Sequence, residues 1–409
     1  MKYTDTVIIG GGQAGLAMSR CLWERGVKHV VLERGKIGER WRSERWDSLQ
    51  LLTPNWQSRL PHWHYQGDDP DGYMTMPELI EHLENYAQSF NAPVHDGTTV
   101  LAVETLTRGS YRVTTDRGVW TARNVVIATG HCDVPWVPPV ASGLADDLFQ
   151  IVPSAYRNPG QLPAGNVLVV GASATGVQLA EELAEAGRQV TLAVGRHSRL
   201  PRRYRGRDIL WWIDTMGEFM APADPTEEAK FPAPQLIGAP DNRSLDVARL
   251  QERGVRLTGK LIDAAGHQVR FDDSLAETVR NADQQLMAAL AKIDEFSTVM
   301  GLDDKVGPRE VVAPTALRPT PTKLDLRAEG IGTVLWATGY RRSYPWLKVP
   351  VLDERGEIRH RGGVTEEPGL YVLGLRFQRR KNSNFIDGVG NDAAELTQHL
   401  IRRRETRAA

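Results

Sequence analysis

The strongest constraint on this chain is a glycine-rich motif that occurs twice, each time between an apolar strand and an amphipathic helix. The first copy reads VIIGGGQAGLAMSRCLWERGVKHVVLE over residues 7–33. The second copy reads VLVVGASATGVQLAEELAEAGRQVTLAVGR over residues 167–196. In both copies the order of strand, glycine turn, helix and second strand is that of a dinucleotide-binding βαβ unit. The sequence therefore predicts an α/β protein with two Rossmann-like dinucleotide-binding domains.

The first copy carries every residue type that such a unit needs. Gly10 allows the tight turn, Gly12 lets the backbone approach a pyrophosphate, and Gly15 lets the helix pack closely on the strand. The N-terminus of the helix then presents free N–H groups and the positive end of its dipole to the phosphates. Glu33 ends the second strand, where a carboxylate accepts hydrogen bonds from a ribose diol.

The second copy differs at two positions that bear on the ligand. Ser173 replaces the middle glycine, and its small side chain can donate a hydrogen bond to a phosphate oxygen. When the copies are aligned, Val194 stands where the first copy has Glu33, and Arg196 follows shortly after. Without the acid, and with a guanidinium nearby, the site is expected to accept a 2′-phosphate and so to prefer NADPH over NADH. The basic stretch 196–207 adds positive charge there, although a solvated basic loop is the alternative interpretation.

Two dinucleotide sites in one chain indicate two cofactors. A flavin can take a hydride from a nicotinamide and pass electrons on singly or in pairs, so FAD and NAD(P)H are commonly combined. We therefore expect the first copy, with its acid, to hold the adenosine of FAD and the second to hold NADPH.

Two further strand-to-loop segments, 125–138 and 333–347, share the sequence Ala-Thr-Gly and are expected to be the crossings between the domains. We predict a discontinuous FAD domain formed by 1–135 and 331–409. The NADPH domain is then an insertion over 136–330, with irregular and helical additions.

Within the insertion, 255–271 is expected to form a strand, a turn and a strand, and 274–300 has the apolar spacing of a helix. The stretches 217–245 and 301–323 are irregular and are candidates for a substrate-facing cover or a dimer contact. The chain ends in a helix predicted from about Gly390. Its N-terminus could face the N1–O2 edge of the flavin, and a terminal packing helix is the alternative.

Composition excludes several classes of protein. Fifty Lys and Arg against 51 Asp and Glu give a formal charge of −1. The chain therefore has no overall positive field that would attract nucleic acid or an anionic membrane. No apolar run approaches the roughly 18 residues that span a bilayer. Cys21 and Cys132 are the two cysteines and form no Cys-x-x-Cys motif, which favours a reducing, cytoplasmic location. His62 and His64 lack nearby ligand partners, so no metal is expected.

Several segments together resemble the flavin-containing monooxygenase-like family of bacteria, related to N-oxygenases, plant auxin-forming monooxygenases and Baeyer–Villiger enzymes. The segments that carry the similarity are GGGQAG (10–15), RWDSLQLLTPN (45–55), GDDPDGYM (67–74), IATG (127–130), YRNP (156–159), VVGASATG (169–176), WATGY (336–340) and FIDGVGNDA (385–393). The resemblance implies that NADPH reduces FAD and that O2 then adds at the flavin C4a to give a (hydro)peroxide. That species transfers one oxygen atom to a small organic substrate; N- or S-oxygenation is favoured and Baeyer–Villiger oxidation stays open.

The same resemblance assigns residues to the cofactors. On the FAD side these are Gly10, Gly12, Gln13, Ala14, Gly15, Glu33, Arg34, Arg40, Trp41, Thr53, Val100, Ala128, Thr129, Gly130, Asn384, Phe385 and Ile386. On the NADPH side they are Tyr156, Pro159, Gly171, Ser173, Ala174, Thr175, Gly176, Gln178, Arg196, Thr338, Gly339 and Tyr340. Asn55 is the candidate catalytic residue, since its side-chain amide is expected to hydrogen-bond the peroxide. A turn residue after Pro54 is the alternative.

The chain departs from the family at its fingerprint, Phe-x-Gly-x-x-x-His-x-x-x-(Phe/Tyr/Trp). Tyr156 keeps the aromatic end, but Val152 stands at the histidine, and Asp146 and Leu148 replace Phe and Gly. Because that histidine is thought to help coordinate NADP⁺ with catalysis, its loss puts the coupling in doubt. An NAD(P)H-dependent reductase or oxidase that uses a quinone or O2, and a redox-sensing flavoprotein, therefore remain alternatives.

Overall fold

The computed structural model describes residues 2–106, 109–223 and 232–408. In this part of the chain eight α-helices are present: α1 Gln13–Glu24, α2 Glu39–Ser43, α3 Met76–Ser89, α4 Ala174–Glu185, α5 Ile209–Thr215, α6 Val247–Glu252, α7 Leu275–Val299 and α8 Ile386–Ala408. None of these helices is both long enough and apolar enough to cross a bilayer.

The strands of the described residues follow in chain order. The first twelve are β1 Lys2–Ile9, β2 His29–Leu32, β3 Val94–His95, β4 Val100–Leu106, β5 Ser110–Thr115, β6 Gly118–Ile127, β7 Val134–Pro135, β8 Phe149–Ile151, β9 Asn166–Val170, β10 Val190–Ala193, β11 Ser198–Arg199 and β12 Arg203–Tyr204. The others are β13 Arg207–Asp208, β14 Pro234–Gln235, β15 Arg256–Thr258, β16 Leu261–Ala265, β17 Gln268–Phe271, β18 Lys323–Asp325, β19 Ile331–Trp336, β20 Tyr340–Arg341, β21 His360–Arg361, β22 Val364–Thr365 and β23 Leu370–Val372.

The first glycine motif belongs to a large sheet whose order is β21-β22-β23-β6-β1-β2-β3, with β5 and β4 continuing from β6. The central strands β23, β6, β1, β2 and β3 are parallel. Their apolar, β-branched runs are buried, as expected for parallel strands covered on both faces. Helices α1 and α8 contribute Leu16 and Leu396 to the core that covers this sheet.

The second glycine motif belongs to a separate, fully parallel sheet with the order β15-β10-β9-β19-β8. Helix α4 connects β9 to β10 and buries Val177, Leu179 and Leu183 against the sheet. Two βαβ units in two parallel sheets confirm the predicted fold class.

The boundary expected at residue 331 needs correction, because β19 (Ile331–Trp336) pairs with β8 and β9 in the second sheet. The chain leaves that sheet only after Trp336. There β20 pairs antiparallel with β7, so both connections between the sheets run side by side. The assignment of the two parts to FAD and NADPH remains a prediction, with the second crossing moved to the residues after Trp336.

The insertion also differs in detail from the sequence prediction. Residues 255–271 form β15, which joins the second sheet, and then the hairpin of β16 and β17, so three strands replace the expected two. The helix predicted over 274–300 is present as α7, Leu275–Val299. The stretch 301–323 is largely irregular, and of 217–245 the residues 224–231 lie outside the described part.

The parts of the insertion around α5 and α7 share a small apolar core of their own. Trp212, Phe219 and Leu290 lie at its centre, and Leu52 and Phe385 of the first domain pack against it. The insertion therefore covers the first domain near the LLTPN segment and the start of α8.

The C-terminal helix begins at Ile386, four residues before the predicted start at Gly390. Gly388 and Gly390 look like helix breakers in the sequence, but close packing explains them. A Cβ on Gly388 would lie 2.0 Å from the carbonyl oxygen of Asn382, and one on Gly390 would lie 3.0 Å from Pro61.

Candidate functional site

The glycine loop between β1 and α1, residues 10–15, forms the first of two candidate phosphate sites, which we call the first cradle. Its three motif glycines have different physical tasks. Gly10 has a φ of 111°, and a Cβ there would lie 2.5 Å from the carbonyl oxygen of Ala128. A Cβ on Gly15 would lie 1.9 Å from the carbonyl oxygen of Gly10. By contrast, no described atom lies within 4 Å of a Cβ built on Gly12. The space over Gly12 at the start of α1 fits the close approach of a pyrophosphate, as the sequence predicts.

Glu33 lies beside this cradle at the end of β2 and is buried. Its Oε2 accepts a hydrogen bond from the Gly11 N–H at 2.6 Å, and its Oε1 accepts one from the Gly35 N–H at 3.0 Å. Each carboxylate oxygen keeps further acceptor capacity, so the side chain is fixed in place and still able to accept hydroxyl donors. Val100 lies near this end, because Thr98 N–H donates to the Glu33 carbonyl. These residues fit the adenosine ribose of FAD.

The opposite side of the first cradle is formed by the residues before α8. Gln13 Nε2 donates to the Asn384 carbonyl at 3.4 Å, and Trp41 Nε1 donates to Gln13 Oε1 at the same distance. Asn384 and Phe385 come directly before the first turn of α8, and Ile386 begins it. The structure thus brings together Gln13, Trp41 and Asn384–Ile386 from three distant parts of the chain, and it places Ala14 beside Gln13 in α1.

Two arginines predicted to contact FAD make ion pairs with protein carboxylates. Arg34 pairs with Glu44 at 2.8 Å. Arg40 pairs with Asp133 and donates to the Cys132 carbonyl, and it contacts Glu44 at 3.2 Å. In this arrangement Arg40 ties α2 to the segment that crosses between the domains.

The second cradle repeats the geometry of the first. Gly171 has a φ of 106°, and a Cβ there would lie 2.3 Å from the carbonyl oxygen of Ala337. A Cβ on Gly176 would lie 1.8 Å from the carbonyl oxygen of Gly171. Ser173 is the N-cap residue of α4, and its side chain makes no capping hydrogen bond. Its hydroxyl therefore stands at the helix N-terminus together with Ala174 and Thr175, where a phosphate would lie.

The two Ala-Thr-Gly turns occupy equivalent places in the two cradles. Ala128, Thr129 and Gly130 follow β6, beside Gly10. Thr338 and Gly339 follow β19, and the Thr338 hydroxyl donates to the carbonyl of Trp136, while Trp136 N–H donates to the Gly339 carbonyl at 2.9 Å. Tyr340 then pairs with Pro135. These turns bring the carboxyl edges of both sheets to one crossing, which the sequence predicts.

Three of the residues predicted to bind NADPH make hydrogen bonds to other parts of the protein. Tyr156 is fully buried, and its hydroxyl donates to Glu182 of α4 at 2.9 Å, so it packs against that helix. Pro159 lies at the amino edge of the second sheet, because its carbonyl accepts from Arg188, which lies two residues before the start of β10. Gln178 donates to the Leu236 carbonyl at 2.9 Å and ties α4 to the insertion. Local sequence similarity does not reveal these packing roles.

Asn55 begins a short 3₁₀ helix, Asn55–Gln57, and Arg59, four residues further on, pairs with Asp387 in the first turn of α8. Its Nδ2 donates to the carbonyl of Asp69 at 2.9 Å, and its backbone N–H donates to Gly72. The side chain is 4% exposed, and its Oδ1 has no hydrogen-bond partner among the described residues. The structural role predicted as the alternative thus accounts for the Nδ2 group of Asn55. The Oδ1 atom is still able to accept a hydrogen bond. Thr53, two residues earlier, is half-buried.

Val152, which stands at the fingerprint histidine, packs against the apolar cluster of Val170 and Trp336. It follows β8 at the carboxyl edge of the second sheet. An aliphatic side chain satisfies this contact, and an imidazole there would need a polar partner.

Sequence reasoning missed a cluster of cations beside the crossing. His131 follows Gly130, and burial together with the positive charges of Arg376, Arg342, Arg45 and Arg40 lowers its pKa to about 3. Two of these arginines are paired with carboxylates of the protein, Arg40 with Asp133 and Arg342 with Glu357. Arg40 and Arg45 are close in sequence, but Arg342 and Arg376 come from distant parts of the chain, so only the fold reveals the cluster.

A second residue that the sequence did not single out is Arg202, whose side chain is fully buried. Its Nη1 donates to the Leu52 carbonyl at 2.8 Å, its Nη2 pairs with Asp208, and its guanidinium lies 5.1 Å from the ring of Tyr73. Arg202 therefore connects the insertion to the LLTPN segment through a hydrogen bond. Its position within the basic stretch 196–207 hides this role.

The basic stretch begins with Arg196, which is exposed and lines a groove of about 570 Å³ between the end of β10 and helix α7. Val194, at the position of Glu33, is buried. Of the described residues, no group of three or more His, Cys, Asp or Glu side chains is arranged to hold a metal ion, and His62 instead contacts Glu24 at 3.1 Å.

Comparison with known proteins agrees with this geometry. The family of pyridine nucleotide-disulphide oxidoreductases matches residues 7–214. An uncharacterized CzcO-like oxidoreductase of Geobacillus kaustophilus is 34% identical over 97% of this chain and 98% of its own length. The indole-3-pyruvate monooxygenase YUCCA1 of rice, Oryza sativa subsp. japonica, is 27% identical over 96% of this chain and 90% of its own length.

Solved structures share the fold over nearly the whole chain. A flavin-containing monooxygenase from Stenotrophomonas maltophilia has a TM-score of 0.69 at 19% identity and covers 98% of this chain and 99% of its own. A bacillithiol disulfide reductase from Staphylococcus aureus has a TM-score of 0.62 at 14% identity, with coverage of 98% and 99%. The predicted similarity, the enzyme class and the cofactors FAD and NADPH are confirmed. The chain belongs to the pyridine nucleotide-disulphide oxidoreductase family, as an FAD- and NADPH-dependent enzyme related to the flavin-containing monooxygenases.

Proposed function

We propose that this enzyme is a monooxygenase that uses NADPH and FAD to insert one atom of O2 into a small organic substrate. Oxygenation at nitrogen or sulfur is the favoured reaction, and Baeyer–Villiger oxidation is the second candidate. The observation that carries the proposal is the pairing of two dinucleotide cradles at one crossing in a chain without a redox dithiol.

The thiols of this chain do not suit disulfide reduction, which is the main alternative within the family. Cys21 lies on α1 with 8% exposure, and burial raises the pKa of its thiol to about 12. Burial also raises the pKa of the Cys132 thiol. Because the thiolate is the reactive form, both groups are poor nucleophiles near neutral pH. The absence of a Cys-x-x-Cys motif points the same way.

When bound, reduced flavin supplies the two electrons that O2 activation needs. The residues of the chain have the other tasks. The glycine loops and the N-termini of α1 and α4 bind the phosphates, and the start of α8 places its positive dipole end near the ring system. The ring centres of Phe219 in the insertion and Phe385 in the first domain are 5.6 Å apart. The insertion therefore contacts the first domain directly before the start of α8. An apolar cover of this kind excludes water, which favours oxygen transfer over loss of peroxide.

The experiment that tests the function measures NADPH oxidation, H2O2 release and product formation across a panel of amines, thioethers and ketones. We expect at least one soft nucleophile to lower H2O2 release per NADPH and to take up one labelled atom from ¹⁸O2. Release of one H2O2 per NADPH with every substrate would instead identify an oxidase. Electron transfer to a quinone without label uptake would identify a reductase.

Asn55 offers a test of the oxygen chemistry itself. We expect Asn55→Ala to leave flavin reduction by NADPH nearly unchanged and to raise the rate of H2O2 release. A removed hydrogen bond of about 1 kcal/mol corresponds to roughly a fivefold change. Stopped-flow reduction and a peroxide assay measure the two steps.

Gln66→Ala is the matched control, because it removes an exposed amide in the same region that donates to the His64 carbonyl at 2.8 Å. A lower melting temperature with unchanged peroxide release would show that Asn55 only holds its turn to Asp69.

A further inference from the structure

The groove beside Arg196 has two walls of different chemistry. One wall is the loop Gly195–His197, which follows β10 at the carboxyl edge of the second sheet. The other wall is a polar stripe of α7 that consists of Glu277, Thr278, Asn281, Gln284, Gln285 and Ala288. These positions are spaced to lie on one face of the helix. The opposite face of α7, with Leu275, Val279 and Leu286, is buried against the protein, and the largely exposed stripe lines the groove together with the loop.

The position of the groove relates it to the nucleotide. In a βαβ unit the adenosine lies beyond the end of the second strand, where an acid would bind the ribose. In this chain that place is Val194, and Gly195 comes next, with no described atom within 4 Å of a Cβ built on it. The groove opens at this point. A dinucleotide held by the glycine loop of the second cradle would therefore direct its adenosine end into it.

His197 adds a second observation that points to a ligand. The residue lines the groove and is 3% exposed. Its Nδ1 lies 3.0 Å from the Gly195 carbonyl oxygen, and because a carbonyl can only accept, Nδ1 carries the proton. Its Nε2 has no hydrogen-bond partner among the described residues. A buried ring nitrogen without a partner is costly unless a ligand or water completes it.

The charges divide the groove into two parts. The loop wall contributes the guanidinium of Arg196, which suits a phosphate. The helix wall contributes one carboxylate, Glu277, and uncharged amides. A phosphate would be repelled by that carboxylate, whereas the edge of adenine offers one amino donor and ring-nitrogen acceptors. A side-chain amide offers a donor and an acceptor in matching positions.

We propose that helix α7 recognises the adenine of the bound pyridine nucleotide through Asn281 and Gln285, while the Arg196 side of the groove takes the 2′-phosphate. The two amides are four residues apart and so lie one turn apart on the same face of α7. This inference rests on the proposed use of NADPH. It assigns the specificity for adenine to the inserted helix and not to the βαβ unit alone.

The test uses the FAD-loaded enzyme and calorimetric titration with 2′,5′-ADP, which carries adenine and the 2′-phosphate but no nicotinamide. We expect the double variant Asn281→Ala/Gln285→Ala to bind 2′,5′-ADP roughly tenfold more weakly, because two hydrogen bonds are lost. The apparent affinity for reduced nicotinamide mononucleotide, which lacks adenine, is expected to stay the same. Alanine is a good helix former, so α7 itself should persist.

Gln88→Ala is the matched control, since it removes an exposed helical amide from α3, away from the groove. Equal affinity of the double variant and the wild type for 2′,5′-ADP would overturn the inference and leave the use of NADPH intact. Equal weakening toward both ligands would also overturn it, because the loss would then not depend on adenine. Failure of the wild type to bind either 2′,5′-ADP or NADPH would overturn the proposed cofactor use as well.

Discussion

Purified Gly12→Val protein is expected to fold but to contain almost no FAD. The backbone of Gly12 has a φ of −85°, which valine can adopt, and no described atom lies within 4 Å of a Cβ there. The added side chain therefore finds room in the protein alone, but it occupies the space that a pyrophosphate needs. We expect at least a hundredfold weaker FAD binding, roughly 3 kcal/mol, since both the phosphate contacts and the close approach are lost. Absorbance of the purified protein and its circular dichroism measure cofactor content and fold.

Gly195→Val is the matched control, because Gly195 is also an open glycine with no described neighbour at its Cβ. It lies in the second domain, and the variant is expected to keep its FAD. Full FAD occupancy in Gly12→Val would contradict the assignment of the first cradle. A Gly12→Val protein that is unfolded would show instead that the residue is needed for the chain itself.

The second large effect is expected for Arg196→Ala, which should weaken NADPH binding about tenfold to a hundredfold and leave NADH nearly unaffected. A charge-assisted hydrogen bond to a phosphate contributes on the order of 1.5–3 kcal/mol. The wild type should therefore prefer NADPH by a similar factor. Rates of flavin reduction over a range of NADPH and NADH concentrations measure both affinities.

Arg207→Ala serves as the control for charge, because Arg207 belongs to the same basic stretch, is exposed and lies 5.2 Å from the ring of Trp211. If both variants lost the same affinity, the general positive charge of 196–207 would be responsible and not a specific contact. Equal use of NADPH and NADH by the wild type would contradict the preference inferred from Val194.

Several residues that were predicted to contact the cofactors also have partners within the protein. Arg40 and Tyr156 were assigned to the cofactors by similarity of short segments. The structure engages Arg40 with Asp133 and buries Tyr156 against Glu182, because neighbouring elements supply partners that a local pattern does not contain. The Pro159 carbonyl likewise accepts a hydrogen bond from Arg188, near the amino edge of the second sheet.

The two βαβ units, the helix over 275–299 and the glycines of both loops can be predicted from the sequence, because each depends on residues close together in the chain. A turn that needs a positive φ at Gly10 or Gly171 can be recognised from its immediate neighbours. The pairing of β19 with the second sheet, the start of α8 at Ile386 and the groove between α7 and Arg196 could not be predicted in this way. These features depend on pairings between residues far apart in the sequence, where burial and close contact override local propensity.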